Sequence, residues 1–433
     1  MSTVLPPEIW REVFLLATHV PGLLTTTWLS DPDEALWGVW KSPLEEEFEA
    51  SMEIKKTIVQ VCREWKALGT EFLYEAVHIR YENSDDDYSR VDELVAILRA
   101  SCAAHVQVPV SADVNDSDQP QPLVGVDTGS SKRSNLGYGW WIKRIECPDQ
   151  ILYERNFQRL EPLLSLCHNL AIFAVSDAFY IAHAMANRLF SILESRFFHS
   201  LRRLDIKAYD MNELAVLLPS IPLSSLDLCL PTPEFALNPA CAALSTITSL
   251  TLSLPEGSFV YPESLHFHKS FYFPTLRHLG LLHVADSNVE ALKALVAQHS
   301  ATVVSLYFNA QYTCYEFSHL LHLATNLRTL TIDDDEFLNL AWQAPHQPFT
   351  GITNLAIYEV NNGQEFAPNC LNALQIILGG SVFPDLKILR LLNRSNRLSG
   401  TKEWSEMGER CANVGLKLQD GEGQTLVWSN SYE

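Results

Sequence analysis

The feature of this sequence that most restricts its fold is a short apolar pattern that recurs along most of the chain. In each copy, three large apolar residues are spaced by three and then by two positions, as in Ile142, Ile145 and Cys147. Further copies begin at Leu201, Leu223, Ile247, Leu276, Val303, Leu327, Ile352, Leu386 and, in a looser form, Val414. From Leu201 onwards the copies begin 22 to 34 residues apart. A period of this length predicts a repeated supersecondary unit whose apolar face is covered only by its neighbours in a stack.

Each copy alternates like a short strand, and helical patterns lie between several copies. Ser287 to His299 carries an apolar stripe behind a capping box of Ser287 and Glu290, and Asn369 to Gly380 has a similar stripe. Strand followed by helix, repeated many times, predicts an α/β fold in which parallel strands form one face of a solenoid. The pattern resembles that of leucine-rich repeats, in a degenerate form that mostly lacks the asparagine after the strand.

The N-terminal region has a different pattern, which predicts helices. Leu5 to Phe14 combines prolines in a first turn with apolar residues four positions apart, as expected for the start of an amphipathic helix. A second helix is predicted from about Lys55 to Leu68, with Gly69 as its stop. Ala76 to Arg80 then alternates like a strand that leaves the helices.

Three short segments of this region together resemble an F-box in residue type and order. They are Leu5-Pro6-Pro7-Glu8-Ile9, Val61-Cys62-Arg63-Glu64-Trp65 and Leu73-Tyr74-Glu75-Ala76-Val77. An ordinary F-box has a short link between its halves, whereas here residues 18 to 53 intervene, with three tryptophans and an acidic run. In this respect the chain is similar to the F-box-like proteins expanded in mushroom-forming fungi. The resemblance covers about residues 5 to 80.

This resemblance implies that the chain is the substrate receptor of a Skp-cullin-F-box type ubiquitin ligase. In that role the helical module binds a Skp-type adaptor and, through it, a cullin, while the repeats bind a target protein. The positions that match the family's adaptor-binding motif are Leu5, Pro6, Ile9, Val13, Phe14, Val61, Cys62 and Trp65. The other hypothesis is a stand-alone leucine-rich-repeat interaction protein whose F-box-like start only caps the array.

The domain organisation follows from these patterns. Residues 1–80 form the F-box-like helical module, with its insertion at about 18–53, and residues 141–433 form the degenerate repeat array. Residues 81–140 connect the two. Within this connector, about 107–137 is rich in Asp, Ser, Pro and Gly and poor in large apolar residues, which predicts a disordered loop.

Strand geometry predicts where the array holds its target. Side chains alternate along a strand, so when Leu204 and Ile206 point inward their neighbours point to the opposite face. The residues expected on this face are Arg203, Asp205, Lys207, Ser249, Thr251, His278, Ser305, Tyr307, Asn309, Thr329, Thr331, Asp333, Asn354 and Tyr358. A mixed polar surface with tyrosines suits protein recognition, and we expect Tyr307 and Tyr358 to be exposed anchors.

Composition excludes several classes of partner. The net charge of -21 repels phosphate backbones and anionic lipid. No apolar run approaches the roughly 18 residues that span a bilayer. We therefore expect no nucleic-acid or membrane partner, and a location in the cytoplasm and/or the nucleus.

The sequence also lacks the motifs that usually carry chemistry. It contains no glycine-rich phosphate loop, no nucleophile elbow and no zinc-protease helix, and none of its nine cysteines forms a CxxC pair. His266 and His268 could hold a metal with His278 or His283, and Asp333 to Glu336 could gather a cation, but a polar connection and a solvated turn are the simpler interpretations. We predict a protein that is not an enzyme and that holds no metal or cofactor.

Overall fold

The structure is a computed structural model, and it describes only part of the chain. The described residues are 5–20, 23–26, 45–80, 89–106, 137–176, 183–197, 199–207, 218, 220–229, 244–253, 272–284, 289–310, 317–333, 347–358, 374–379, 382–392, 402–419 and 425. The chain divides into two compact units. The first comprises Met1–Val20, Leu44–Ala178 and Ser191–Leu201, and the second comprises Pro21–Pro43, Phe179–Phe190 and Arg202–Glu433.

Most of the described helices lie in the first unit. They are α1 (Pro7–Ala17), α2 (Glu45–Val61), α3 (Arg63–Tyr74), α4 (Ser89–Val106), α5 (Glu154–Leu166), α6 (His183–Phe197), α7 (Val289–Gln298), α8 (Phe317–Leu323) and α9 (Lys402–Asn413). Helix α6 crosses the division between the units. Two 3-10 helices, Tyr138–Trp141 and Asp149–Leu152, flank the second strand, and residues 374–378 form a further helical turn.

The strands are short, and every described pairing between them is parallel. They are β1 (Ala76–His78), β2 (Arg144–Pro148), β3 (Ile172–Ser176), β4 (Arg203–Lys207), β5 (Ser225–Cys229), β6 (Ser249–Ser253), β7 (His278–Val284), β8 (Ser305–Ala310), β9 (Thr329–Asp333), β10 (Asn354–Tyr358), β11 (Ile388–Leu392) and β12 (Lys417–Gln419). In the first unit β1 pairs with β2 and β2 with β3. In the second unit each strand from β4 to β12 pairs with the next. The predicted α/β fold with a parallel strand face is confirmed.

The apolar pattern explains why these strands form. Each predicted copy coincides with a strand or ends in one, and its second and third apolar residues are buried, as Leu226 and Leu228 are in β5. Strand β3 was not predicted, although Leu170, Phe173 and Val175 occupy the three positions of the pattern. An aromatic residue and a valine replace two leucines there, so the pattern is weaker in composition but not in burial, since all three are buried.

The two predicted helices of the array fall partly on described residues. Helix α7 lies within the predicted Ser287 to His299, and Val289, Leu292 and Val296 are buried as expected of its apolar stripe. Residues 374–378 are helical within the predicted Asn369 to Gly380. Ser287 and Asn369, the expected caps, lie outside the described residues, and so do residues 107–136 of the predicted disordered loop.

The helical module differs from its prediction in three places, Glu45, Cys62 and Gly69. The predicted single helix is two helices, because Cys62 has extended backbone angles and its thiol caps α3 by accepting a hydrogen bond from the Trp65 N–H at 3.4 Å. Helix α2 begins at Glu45, so residues 45–53 of the predicted insertion are helical. Gly69 does not stop a helix; it lies inside α3, where a Cβ atom would stand 2.7 Å from Ile58 Cγ2 of α2.

The close approach of α2 and α3 at Gly69 predicts how an alanine there changes stability, because helix propensity and packing act in opposite directions. Helix propensity alone would make Gly69→Ala stabilising by about 1 kcal/mol. The added Cβ would lie closer to Ile58 than real Cβ contacts allow, so α2 and α3 must move apart. We therefore expect the free energy of unfolding to fall by about 1–3 kcal/mol. Denaturant unfolding of the full chain measures the change. Ala67→Gly, at an exposed position of α3, serves as the propensity control, and a stabilised Gly69→Ala variant would contradict the packing described.

Candidate functional site

The helical module is closed around a small aromatic core. Phe14 of α1, Ile58 of α2 and Phe72 of α3 are buried, and Trp10 and Trp65 pack against them. The ring centroids of Trp10 and Trp65 are 4.6 Å apart, and those of Phe14 and Trp65 are 4.9 Å apart with an edge-on geometry. Aromatic pairs of this kind stabilise a core beyond their buried area alone. The three helices are therefore fixed relative to one another by side chains that the sequence supplies locally.

A buried ion pair and two buried hydrogen bonds complete this module. Lys55 Nζ lies 2.9 Å from Glu75 Oε1, and the lysine is only 1% exposed. Thr18 ends α1 by donating its hydroxyl to the Phe14 carbonyl at 2.8 Å, and Ser51 of α2 donates to the Thr18 carbonyl at 2.7 Å. Removing either partner of a buried charge pair leaves the other uncompensated, so Lys55 and Glu75 fix how α2 meets the end of α3.

The opposite face of α1 carries large apolar side chains that no described residue buries. Leu5, Ile9, Val13 and Leu16 are 44%, 47%, 42% and 76% exposed. Ile9, Val13 and Leu16 follow one another at four and three residues and so lie on one side of α1, while Leu5 directly precedes the helix. We call these four residues the α1 stripe. Three exposed aliphatic side chains in a row on one helix, with a fourth just before its first turn, are of the kind that marks an interaction surface.

The predicted adaptor-binding residues do not all lie on this surface. Leu5, Pro6, Ile9 and Val13 are exposed on or beside the α1 stripe, and Val61 and Cys62 are exposed where α2 meets α3. Phe14 is a correction, because it is 1% exposed and belongs to the core of the module. Trp65 is partly buried and packs against the same core.

Two exposed residues outside the prediction, Leu16 and Ile54, extend the apolar surface. Leu16 could have been found from its helical spacing of seven from Ile9. Ile54, 42% exposed, lines an open pocket of about 260 Å³ together with Glu53, Thr57, Ile58 and Trp65. No local pattern marks Ile54, since its exposure depends on how α2 packs against the other two helices.

The predicted target-binding face is formed by rows of side chains in register across the strands of the second unit. One row consists of Arg203, Ser225, Ser249, His278, Ser305, Thr329 and Asn354, and the next of Asp205, Asp227, Thr251, Gly280, Tyr307, Thr331, Ala356 and Arg390. Ser225, Asp227 and Arg390 were not predicted, although the same offset within each apolar pattern identifies them.

This face is far less exposed than predicted. Arg203, Ser249, Thr251, Tyr307, Thr329, Thr331 and Asp333 are buried, while Asp205, His278, Ser305, Asn309 and Asn354 are partly buried. Parallel strands lie only about 4.8 Å apart, so neighbours in the same row shield short side chains from both sides. The expectation that Tyr307 is an exposed anchor is wrong, because it is 7% exposed. The side chains of Lys207 and Tyr358 lie outside the described part of the structure.

Several of the polar residues on this face bind one another. Arg203 forms an ion pair with Asp205 at 2.8 Å, Asn309 donates to Asp333 at 3.0 Å and Asn354 donates to the Thr329 hydroxyl at 3.3 Å. In contrast, the Ser225, Ser249 and Thr251 hydroxyls and His278 Nδ1 are buried atoms that find no hydrogen-bond partner among the described residues. Part of the face is thus engaged in holding the sheet together, and part has unused hydrogen-bonding capacity.

A piece of the segment between α1 and α2 lies against the first strands of this unit. The Thr25 carbonyl accepts a hydrogen bond from Arg203 Nη1 at 3.4 Å, and the Thr26 carbonyl accepts one from the Ser224 hydroxyl at 2.7 Å. Leu23, two residues earlier, is 4% exposed. Part of the predicted insertion at about 18–53 therefore contributes directly to the repeat unit.

His278 is the most strongly shifted histidine on the strand face. Burial and, as the smaller cause, the positive charge of Arg277 together lower its pKa to about 4. The imidazole is therefore neutral at pH 7. Burial also lowers the pKa of His299, which stacks against Tyr272 with ring centroids 5.7 Å apart.

The remaining predictions from the sequence concern metal binding and membrane-spanning segments. Among the described residues, no three His, Cys, Asp or Glu side chains are grouped as a metal site. His266, His268 and Asp334 to Glu336 lie outside the described residues. No described helix has the length and apolar character needed to cross a bilayer.

Comparisons with known proteins give distant structural likenesses only. No protein-family model matches the chain, and no curated protein is significantly similar to it. The leucine-rich repeat-containing protein LegL7 from Legionella pneumophila is similar with a TM-score of 0.41 and 17% identity, over 67% of this chain and 87% of that one. The complex of Rad7 and Elc1 in yeast gives a TM-score of 0.24 and 13% identity, over 66% of this chain and 77% of that one. The leucine-rich-repeat-like character of the fold therefore rests on the strand register and the repeating apolar pattern.

The burial of Tyr307 leads to a stability prediction. Tyr307→Ala removes a large side chain that lies in register between Gly280 and Thr331, and we expect the free energy of unfolding to fall by about 2–4 kcal/mol. Tyr272→Ala is the matched control, because Tyr272 is 47% exposed and its loss should cost well under half as much. Equal effects of the two substitutions in chemical denaturation would contradict the burial of this face.

The neutral His278 leads to a prediction about pH. In the unfolded chain a histidine takes up its proton below about pH 6.5, whereas His278 in the folded protein does so only near pH 4. The unfolded state then binds more protons between these values, so stability falls as the pH is lowered from about 6.5 to 4. His278→Gln should remove about 2 kcal/mol of the fall between pH 7 and pH 4.5. Unfolding measured at pH 7 and pH 4.5 checks it, and parallel pH profiles of wild type and variant would refute it.

Proposed function

We propose that this protein is the substrate receptor of a Skp-cullin-F-box type ubiquitin ligase. The α1 stripe would bind a Skp-type adaptor and, through it, a cullin, and the repeats would hold a target protein. The observation that carries the proposal is the combination of a closed aromatic core on one side of α1 with the exposed Leu5, Ile9, Val13 and Leu16 on the other. A helix that merely capped the repeats would not need to present this second apolar side.

The energetics of the α1 stripe suit a partner interface. Burying an aliphatic side chain of this size contributes about 1.5–3 kcal/mol when it passes fully from water into an interface. Leu5, Ile9 and Val13 of the stripe are already about half shielded. The orientation of α1 is fixed by Phe14 in the core and by the hydrogen bond from Ser51 of α2 to the Thr18 carbonyl. A rigid apolar surface of this kind loses little conformational freedom when it binds, which favours affinity.

In this proposal the repeats position the target protein and catalyse no reaction. Holding a target near a ubiquitin-loaded conjugating enzyme raises the effective concentration of its lysines, and no catalytic group of the receptor is required. The protein is accordingly proposed to be a non-enzyme without metal or cofactor that works in the cytoplasm or the nucleus. The repeat unit offers polar side chains in register across its strands, of which Asp205, Ser305 and Asn354 are partly exposed.

Substitutions on the α1 stripe test the adaptor role. We expect the full-length protein to bind a purified Skp-type adaptor with micromolar or stronger affinity. Ile9→Asp and Val13→Asp should each weaken binding about 100-fold, since a carboxylate would be placed in an apolar interface. Both residues are exposed in the free protein, so its unfolding midpoint should change little. Isothermal calorimetry gives the affinities.

A matched control is available on α4. Ile97 is 46% exposed, almost the same as Ile9 at 47%, and it lies outside the α1 stripe. Ile97→Asp should therefore leave adaptor binding unchanged. No adaptor binding by the wild type would favour the stand-alone interaction protein. Equal losses of adaptor affinity for Ile9→Asp and Ile97→Asp would show that the α1 stripe is not the adaptor-binding surface.

A further inference from the structure

The residues directly before the strands of the second unit form a continuous line along one edge of its sheet. From the second residue of the line onwards, each donates its backbone N–H to the carbonyl of the equivalent residue one repeat earlier. The line runs through Arg202, Ser224, Thr248, Arg277, Val304, Arg328, Thr353 and Lys387, with N–H to carbonyl distances of 2.7 to 3.0 Å. We call these eight positions the strand-entry edge.

The charge of the strand-entry edge is opposite to that of the protein. Four of the eight residues are Arg or Lys and none is Asp or Glu, in a chain with 31 basic and 52 acidic residues. A net charge of -21 would by itself place acids at such positions more often than bases. The edge is therefore a local basic strip on an acidic protein, and its positive potential attracts negatively charged groups.

Three of these bases are exposed and available. Arg277, Arg328 and Lys387 are all exposed, and none of them makes an ion pair with a described residue. The nearest acid along the chain from Lys387 is Asp385, and its carboxylate accepts the Gly351 N–H at 2.8 Å. The positive charge of Arg277 is also felt locally, since it contributes to the lowered pKa of His278.

The spacing of the three bases is regular. Arg277, Arg328 and Lys387 precede β7, β9 and β11, so one strand lies between each pair. With strands about 4.8 Å apart, the backbone positions follow at about 10 Å intervals. A polyproline-type peptide rises about 3.1 Å per residue with three residues per turn, and so presents every third side chain on one face at about 9 Å intervals. The interval between side chains on the peptide matches the interval between bases on the edge closely enough for long side chains to meet.

We propose that the strand-entry edge binds an acidic, extended segment of a protein, with carboxylates at every third residue facing Arg277, Arg328 and Lys387. The other end of the edge already contacts polypeptide, because the Ser224 hydroxyl there holds the Thr26 carbonyl of the chain itself. The inference rests on the proposed role of the repeats in holding a target, and it gives the chemistry of the part of the target that they recognise.

A defined peptide tests the proposal on the full-length protein. The probe is a fluorescent twelve-residue peptide of four Glu-Pro-Ala repeats, with four Gln-Pro-Ala repeats as the uncharged reference. We expect fluorescence anisotropy to show binding of the Glu peptide only, weakening as salt is raised. The variant R277S/R328S/K387S should bind it at least tenfold more weakly. The variant R99S/R155S/K66S removes three other exposed bases and should bind like wild type.

The outcomes separate this inference from the proposed function. Failure of the wild type to prefer the Glu peptide, or equal losses in the two triple variants, would overturn the inference. Tighter binding of a single-stranded oligonucleotide of equal charge to the same three bases would also overturn it. Adaptor binding should be intact in R277S/R328S/K387S. A loss of peptide binding in this variant with adaptor binding retained supports the inference about the strand-entry edge. Absent adaptor binding in the wild type bears only on the proposed function.

Discussion

The interaction on which the structure of the repeats depends is the backbone ladder that links each strand to the one before it. A strand of five residues cannot bury its leucines alone, and it gains a core only when the next repeat adds its own hydrogen bonds and apolar side chains. The line from Arg202 to Lys387 is the start of that ladder in the second unit. Because the ladder fixes register, it also decides which polar side chains become neighbours. The same constraint that forms the core therefore arranges the strand face and the basic edge.

Two surfaces result, and they have different physical characters. The α1 stripe is apolar and lies on a helix that is held by an aromatic core, so it suits a partner with a matching apolar groove. The repeat unit offers polar side chains in register, most of them shielded, with exposed bases at the strand-entry edge. An apolar surface and a charged one favour different partners, which is what the proposed role of joining an adaptor to a target requires. The contact of Thr25 and Thr26 with Arg203 and Ser224 shows that the segment after α1 is built into the repeats.

The parts of this structure that follow from local spacing could be predicted from the sequence, and the parts that depend on neighbours could not. The alternation of Leu226 and Leu228 with polar residues is a property of one strand, so the strands and their inward face were found. The burial of Tyr307 depends on the adjacent strands, which a single repeat does not reveal. Likewise, the choice between Phe14 and Ile9 as the buried residue of α1 is made by α2 and α3. Gly69 resembles a helix stop until Ile58 is seen to occupy the space beside it.

The central claim is that the exposed side of the helical module is a docking surface for a Skp-type adaptor. Hydrogen–deuterium exchange of the full-length protein, measured with and without saturating adaptor, tests this claim most directly. The account predicts slower exchange in peptides that cover α1 and the junction of α2 with α3 at Cys62, and unchanged exchange in β4 to β12. No change in α1, or protection confined to the repeat strands, would contradict it.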